Sequence, residues 1–307
     1  MINLKISKMI LSLIGFLVLF LILFSLYGFW AAIHPPRYKT NLTPKDFGHK
    51  FEKVTLITSD NLKIAAWFVP SGQKSDKVII LLHGYPFDKA NLLNWAEFLQ
   101  KDFNLFFFDF RYFGESEGSM TTVGYHEQRD LKAALDYLEQ RAREQHKKIA
   151  SASGAPATFD VGLMGFSLGG AVAIITASYD KRVKAVVSDS AFANINLMID
   201  EYYRNLSILR YPLSILTNFW ARIFVGVNPD EVDPEKAAKN INIPVLLIHG
   251  KKDQVIPFES ALRIQKSLRS NPKAQFFFFE EGSHGGVPEN LENVYQKKVL
   301  EFFNKNL

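Results

Sequence analysis

The 307-residue chain contains no cysteine. That absence removes disulfides, thiolate metal sites and a cysteine nucleophile together, and leaves the redox compartment undecided. Excess charge is also scarce, since 36 Lys and Arg against 31 Asp and Glu give a formal net charge of +5, part of it from Lys5 and Lys8 near the start. This is too little to argue for a nucleic-acid partner. The basic run RAREQHKK at 141–148 reads as the solvated end of a helix. No internal repeat is present, and no H-E-x-x-H motif, Walker loop or correctly spaced dinucleotide fingerprint occurs, so neither a cofactor nor a metal is expected.

What the chain does have is one long run without charge, from Met9 to Ile33. At about 1.5 Å per residue, a helix of that length covers the roughly 30 Å hydrocarbon core of a bilayer. Residues 1–33 therefore read as a single-pass membrane anchor. A cleaved signal peptide would need a shorter apolar region, about 7 to 15 residues, and a small-x-small cleavage site. Tyr27 and Trp30 suit an interfacial aromatic belt. The flanking charges conflict, with Lys5 and Lys8 on one side and Arg37, Lys39, Lys45 and Lys50 on the other. Large domains translocate largely regardless of charge, which places the globular part on the extracytoplasmic side.

Residues 34–50 form a Pro-punctuated linker able to hold the domain off the membrane, and 51–307 form that domain. The runs FEKVTLITS and LKIAAWFVP, joined at Asp60-Asn61, read as an antiparallel pair. Six further runs, KVIILLHG, NLFFFDF, DVGLMGF, VKAVVSDS, IPVLLIHG and AQFFFFEE, are almost continuously apolar, as strands covered on both faces must be. Helical spacing separates them: Leu92, Trp95, Ala96 and Leu99, then Leu131, Ala134, Leu135 and Leu138. Helices are also expected after Ser167, near 259–269 and near 289–303. This alternation predicts an α/β fold, a mostly parallel eight-stranded sheet flanked by helices. The stretch 191–240, rich in aromatics, is too long for a connection and reads as a helical cap insert. The small-residue run ASASGAPA at 150–157 reads as a connector.

Gly165-Phe166-Ser167-Leu168-Gly169 follows a predicted strand and precedes a predicted helix, the setting of a nucleophile elbow. A sharp turn lifts the hydroxyl, and glycines at its flanks leave the backbone room. A serine hydroxyl needs a base, and the base needs an orienting acid. Asp253 and His284, each just beyond a strand end, supply them in the order Ser, Asp, His. Asp109 and Asp189 are alternative acids at strand ends, while Glu280 and Glu281 are too near His284 in sequence to point at its ring. His83 and His249 read as fixing loop backbone; His34, His49, His126 and His146 read as surface residues. The backbone N–H groups of Tyr85 and Leu168 are the expected oxyanion hole, with Pro86 restricting Tyr85 to extended dihedrals.

Through HGYP, DFRYFGESEG, GFSLGG, HGKKDQVIP and GSHGG, spanning 83–286, the sequence resembles the alpha/beta-hydrolase-fold serine hydrolases. The D-x-R-x-x-G-x-S-x-G string and single anchor are similar to the membrane-tethered esterase, lipase and acyl-thioesterase branch. The resemblance implies that Asp109 and Arg111 are structural, and Ser167 sets the chain apart from relatives with an Asp nucleophile. Tyr112 stands where relatives commonly have Gly. The reading is thus a serine hydrolase acting on a small-molecule or lipid-like ester or thioester with a lipophilic acyl group. A serine peptidase of the same fold and a non-catalytic, membrane-tethered binding protein are the alternatives.

Overall fold

The computed structural model describes residues 2–73, 75–149 and 158–307, without the side chains of 2–4 and 145–149. The connector expected at 150–157 and the side chains of His146, Lys147 and Lys148 lie outside the described residues. The strands are β1 (Glu52–Ile57), β2 (Lys63–Val69), β3 (Lys77–Leu82), β4 (Asn104–Phe108), β5 (Asp160–Phe166), β6 (Val183–Asp189), β7 (Val245–Gly250) and β8 (Ala274–Phe279). They form one eight-stranded sheet in the order β1-β2-β4-β3-β5-β6-β7-β8. β2 runs antiparallel to both its neighbours, and every later pairing is parallel. Asn61, at φ 63°, turns the chain between β1 and β2.

The central strands are buried along their length because both faces are covered. Val78, Ile80 and Leu82 of β3 pack with Leu131 and Leu135 of α3 (Glu127–Ile149) and Ile174 of α4 (Leu168–Ala177). Ile79 and Leu81 face the other layer, which includes Val299 and Phe303 of the C-terminal helix, Glu292–Asn306. The short helix Pro234–Ala238 and the helix Glu259–Ser267 complete the layer that holds α3 and α4.

The period of Leu92, Trp95, Ala96 and Leu99 predicts one continuous helix, yet the chain forms a single α turn, α2 (Leu93–Ala96), between 3-10 turns at Lys89–Leu92 and Glu97–Leu99. Tertiary contacts override the local period here. The Asp88 carboxylate accepts from Ala90 N and Asn91 N, while Asp109 draws Lys89 inward, with Nζ 2.6 Å from Oδ2 and the backbone N 2.7 Å from Oδ1.

Between β6 and β7 lie α5 (Ile195–Tyr202), a 3-10 turn (Arg204–Leu209), α6 (Arg210–Trp220) and a π turn (Ala221–Val225). The N-terminal helix α1 (Ile2–Ile33) packs along α6. Its segment Lys5–Ile33 is long and apolar enough to cross a membrane. From Met9 to Phe20 the side chains are exposed, unlike those of a core helix. Its last turns are docked: Trp220 Nε1 donates to Ser25 Oγ at 3.0 Å, and Phe29 and Ile33 are buried with Ala221 and Val227. A Cβ on Gly28 would lie 2.7 Å from the Tyr203 hydroxyl, so a side chain there would push the tip of that ring aside.

The segment after α1, expected to act as a spacer, is fastened to the domain. Thr121 N donates to Ile33 O at 3.0 Å, Tyr112 Oη to Pro35 O at 2.7 Å, and Arg37 reaches the carbonyls of Gly114 and Ser116. Partnered backbone of this kind does not behave as a free tether.

Candidate active site

Ser167 occupies the turn between β5 and α4 at φ 53°, ψ −114°, a conformation disfavoured for a side chain of its chirality. The flanking glycines make the turn possible by close approach. A Cβ on Gly165 would lie 2.3 Å from Gly169 O, and one on Gly169 would lie 2.1 Å from Leu82 O. The Ser167 N–H donates to Asp189 O at 2.8 Å, tying the turn to β6. Its hydroxyl meets the loop after β8, where His284 Nε2 lies 3.1 Å from Ser167 Oγ and Nδ1 lies 2.7 Å from Asp253 Oδ2.

Asp253 follows β7 and is almost fully buried. Burial alone would raise its pKa, yet its hydrogen bond to His284, with backbone donors from Ile256 and Val255, holds it below the usual carboxylate value. Those two N–H groups each lie 2.8 Å from Oδ1, leaving Oδ2 for the imidazole. An ionised Asp253 fixes the proton on Nδ1 and leaves Nε2 free to accept from the hydroxyl. The Phe166 ring packs 4.8 Å from the His284 ring. Gly285, at φ 66°, lets the loop close over Phe166, where a Cβ would lie 2.6 Å from the aromatic carbons.

The competing acids are committed elsewhere. Asp109 holds Lys89 and the Glu115 backbone N–H, while Arg111 bridges Asp130 and Asp60. Both therefore brace the loop after β4, as the resemblance implies for the Asp-x-Arg pair. Glu280 and Glu281 pair with Lys251 and Lys252. His83 holds two loops, with Nδ1 donating to Gly84 O and Nε2 accepting from Phe110 N, each at 2.9 Å. His249 Nε2 bonds Ile256 O. The surface reading of His34, His49 and His126 is corrected: all three are half-buried. His34 stacks on Trp30, His49 pairs with Glu97, and His126 packs edge-on to Tyr125, contacts that the sequence pattern did not signal.

Leu168 opens α4, so its N–H has no acceptor within the helix. Neither this group nor the Tyr85 N–H has a turn, loop or side-chain acceptor among the described residues. The Tyr85 loop also lies close, since a Cβ on Gly84 would sit 3.3 Å from Ser167 Cβ. The Tyr85-Pro86 bond is cis.

A cavity of about 580 Å³ opens from Ser167 and His284. Its apolar wall comes from α5 (Met198, Ile199), the π turn (Val225) and, unforeseen from sequence, the end of α1 (Phe29, Ala32, Ile33). Two other features escaped the sequence reading. The sequence pattern marks Phe166 only as a position inside the motif, and Tyr295, whose hydroxyl donates to Asp189 Oδ2 at 3.0 Å, carries no local signal.

Known hydrolases share this fold. A family model described as the alpha/beta hydrolase fold matches residues 77–207, and a dienelactone hydrolase family model matches residues 220–305. YqkD of Bacillus subtilis is 28% identical over 73% of this chain and 70% of its own length. The alpha/beta hydrolase domain-containing protein WAV2 of Arabidopsis thaliana is 26% identical over 86% of this chain and 82% of its own. Among solved structures, the Pyrococcus furiosus esterase Pf2001 is similar at a TM-score of 0.71 and 27% identity, covering 89% of this chain and 98% of that one.

Proposed function

From a chain that is a hydrolase of the alpha/beta-hydrolase fold, we propose a membrane-anchored serine hydrolase that cleaves carboxylic esters or thioesters carrying a lipophilic acyl group. The observation that carries this reading is His284 standing between Ser167 Oγ at 3.1 Å and Asp253 Oδ2 at 2.7 Å. Ser167 Oγ attacks the acyl carbonyl as His284 Nε2 takes its proton. The tetrahedral oxyanion is held by the N–H groups of Leu168 and Tyr85, aided by the positive end of α4. As the bond to the leaving group breaks, His284 passes the proton to the departing alcohol or thiol, leaving an acyl-Ser167. Water, deprotonated by His284, then attacks the acyl-enzyme, and as the acid leaves His284 returns the proton to Ser167 Oγ.

The apolar cavity beside the hydroxyl supports a lipophilic acyl group. The likeness to an esterase supports esters over amides. The length and exposure of α1 support retention as an anchor. A fluorophosphonate probe applied to the folded protein, followed by peptide mapping, tests the reading. An adduct on Ser167 is expected, together with turnover of p-nitrophenyl esters or acyl thioesters. Folded protein that forms no such adduct overturns it.

A further inference from the structure

The anchor helix does more than lie beside the domain. A second cavity, about 500 Å³, runs along α1 and is lined by Leu23, Leu26 and Tyr27 among others. Phe29, Ile33 and Val225 line both this cavity and the one that reaches Ser167, so these side chains alone are common to the two walls. Val225 ends the π turn, a local widening of a helix often found where function requires it.

The surroundings of the second cavity are apolar as well. On α6 and the π turn, Tyr211, Ile215, Phe219 and Ile223 recur every four residues and are 54%, 69%, 48% and 61% exposed. The stripe belongs to α6 and the turn after it, and α6 packs against α1. Arg210, its guanidinium 4.7 Å from the centre of the Tyr211 ring, stands at one end of the stripe, and Arg222, paired with Asp230 at 2.9 Å, at the other. A bilayer that reached the docked turns of α1 would meet α6 and the second cavity as well.

We propose that the acyl chain of a membrane lipid reaches Ser167 from within the bilayer, passing along α1 between Phe29 and Val225, so that the anchor is one wall of the substrate site. The inference rests on the serine-hydrolase reading and deepens it by naming the substrate as an acyl lipid resident in the same membrane. The last turn of α1 is held firmly enough to shape a site: Tyr85 Oη donates to Ala32 O at 3.1 Å, and Ile33 O accepts from Thr121 N at 3.0 Å. Phe29 gates the passage, and Ala32 lines the inner cavity between it and Tyr85.

Because the chain has no cysteine, a Phe29→Cys variant of the full-length protein can be blocked selectively and reversibly. In phosphatidylcholine nanodiscs, it is treated with a benzyl methanethiosulfonate and then with reductant. Turnover of p-nitrophenyl dodecanoate dissolved in the bilayer is compared with that of p-nitrophenyl acetate supplied in water. The dodecanoate-to-acetate ratio of kcat/KM is expected to fall at least about tenfold on blocking, the scale on which a pocket discriminates single methylenes, and to recover on reduction. A second variant, Leu26→Trp, whose side chain lines the second cavity and not the one at Ser167, should lower the same ratio without chemical treatment. If the ratio is unmoved in Leu26→Trp, or the two esters fall in parallel, the bilayer route is wrong and substrate arrives from water. Labelling of Ser167 by fluorophosphonate in the same preparations separates the failures. Its absence from the untreated protein defeats the hydrolase reading, whereas normal labelling with an unmoved ratio defeats only the route.

Discussion

Tyr295 donates its hydroxyl to Asp189 Oδ2 at 3.0 Å across 106 positions of sequence, and the Asp189 carbonyl accepts the Ser167 N–H at 2.8 Å. The Ser167 turn is thus tied to the backbone of a β6 residue whose buried carboxyl is capped by the C-terminal helix. Burial raises the pKa of Asp189 to about 6, although hydrogen bonds from Ser190 and Tyr295 pull the other way. The folded-state value lies above the 3.8 of an unperturbed carboxyl, so the folded protein holds this proton more tightly than the unfolded chain. Stability from the group is complete below about pH 4 and lost as pH rises through about 6. Across that window, the wild type's stability relative to Asp189→Asn should fall by about 3 kcal/mol. Urea denaturation in mild detergent at pH 4, 5, 6 and 7 checks it. A difference that stays flat with pH would mean that folding does not raise the pKa of Asp189.

The three groups around His284 should fail to different degrees. Ser167→Ala is expected to lower kcat on p-nitrophenyl butyrate on the order of a million-fold, since the nucleophile is gone. Asp253→Asn keeps the shape but offers the wrong hydrogen-bonding partner to Nδ1, and a loss of about ten-thousand-fold follows from the misplaced tautomer. Equal losses for the two variants would show that Asp253 does more than orient the ring. Retention of most activity by Ser167→Ala would remove Ser167 from the chemistry.

Gly169 sets two effects against each other. In a helix interior, Ala is favoured over Gly by roughly 1 kcal/mol. Here the added Cβ would meet Leu82 O at 2.1 Å and His83 O at 2.8 Å, both main-chain atoms of the central sheet and its loop. Backbone must move, and overpacking of that kind typically costs about 1 to 3 kcal/mol. Gly169→Ala should therefore be less stable and should react more slowly with fluorophosphonate, because the shift passes directly into the Ser167 turn. Melting temperature and labelling rate are read together. Unchanged values for both would mean the turn has slack that the close contacts deny.

Much of this site is legible in sequence because each member stands at the end of an apolar run, where a parallel sheet brings loops together. GFSLGG, Asp253 and His284 are such cases, and their order along the chain already restricts the arrangement. Contacts that depend on how layers pack leave no comparable mark. Tyr295 looks like any residue on an amphipathic helix, and nothing in GFWAAI announces that Phe29 and Ala32 line the inner cavity. The 89–99 segment misleads for the same reason: its apolar period is genuine, but Asp109 reaches across from β4 and recasts the local geometry. Long-range partners decide these positions, and sequence periodicity reports only local ones.

Tyr112 offers the final test, because it stands where the resemblance leads one to expect Gly. Its backbone keeps the left-handed conformation a glycine would adopt, with φ 72°. The side chain uses that turn: its hydroxyl donates to Pro35 O at 2.7 Å, and its ring packs against Phe113 and His34. Tyr112→Gly would relieve about 1 kcal/mol of backbone strain, yet lose a hydrogen bond worth about 0.5 to 1.5 kcal/mol together with the aromatic contacts. Global stability should hence change little, while the segment after α1 loosens. Limited trypsin digestion should cut after Lys39 faster in Tyr112→Gly than in the wild type, and Tyr112→Phe should fall between them because it lacks only the hydroxyl. If all three are cut at one rate, Tyr112 does not fasten the segment after α1, and its replacement of glycine has no such purpose.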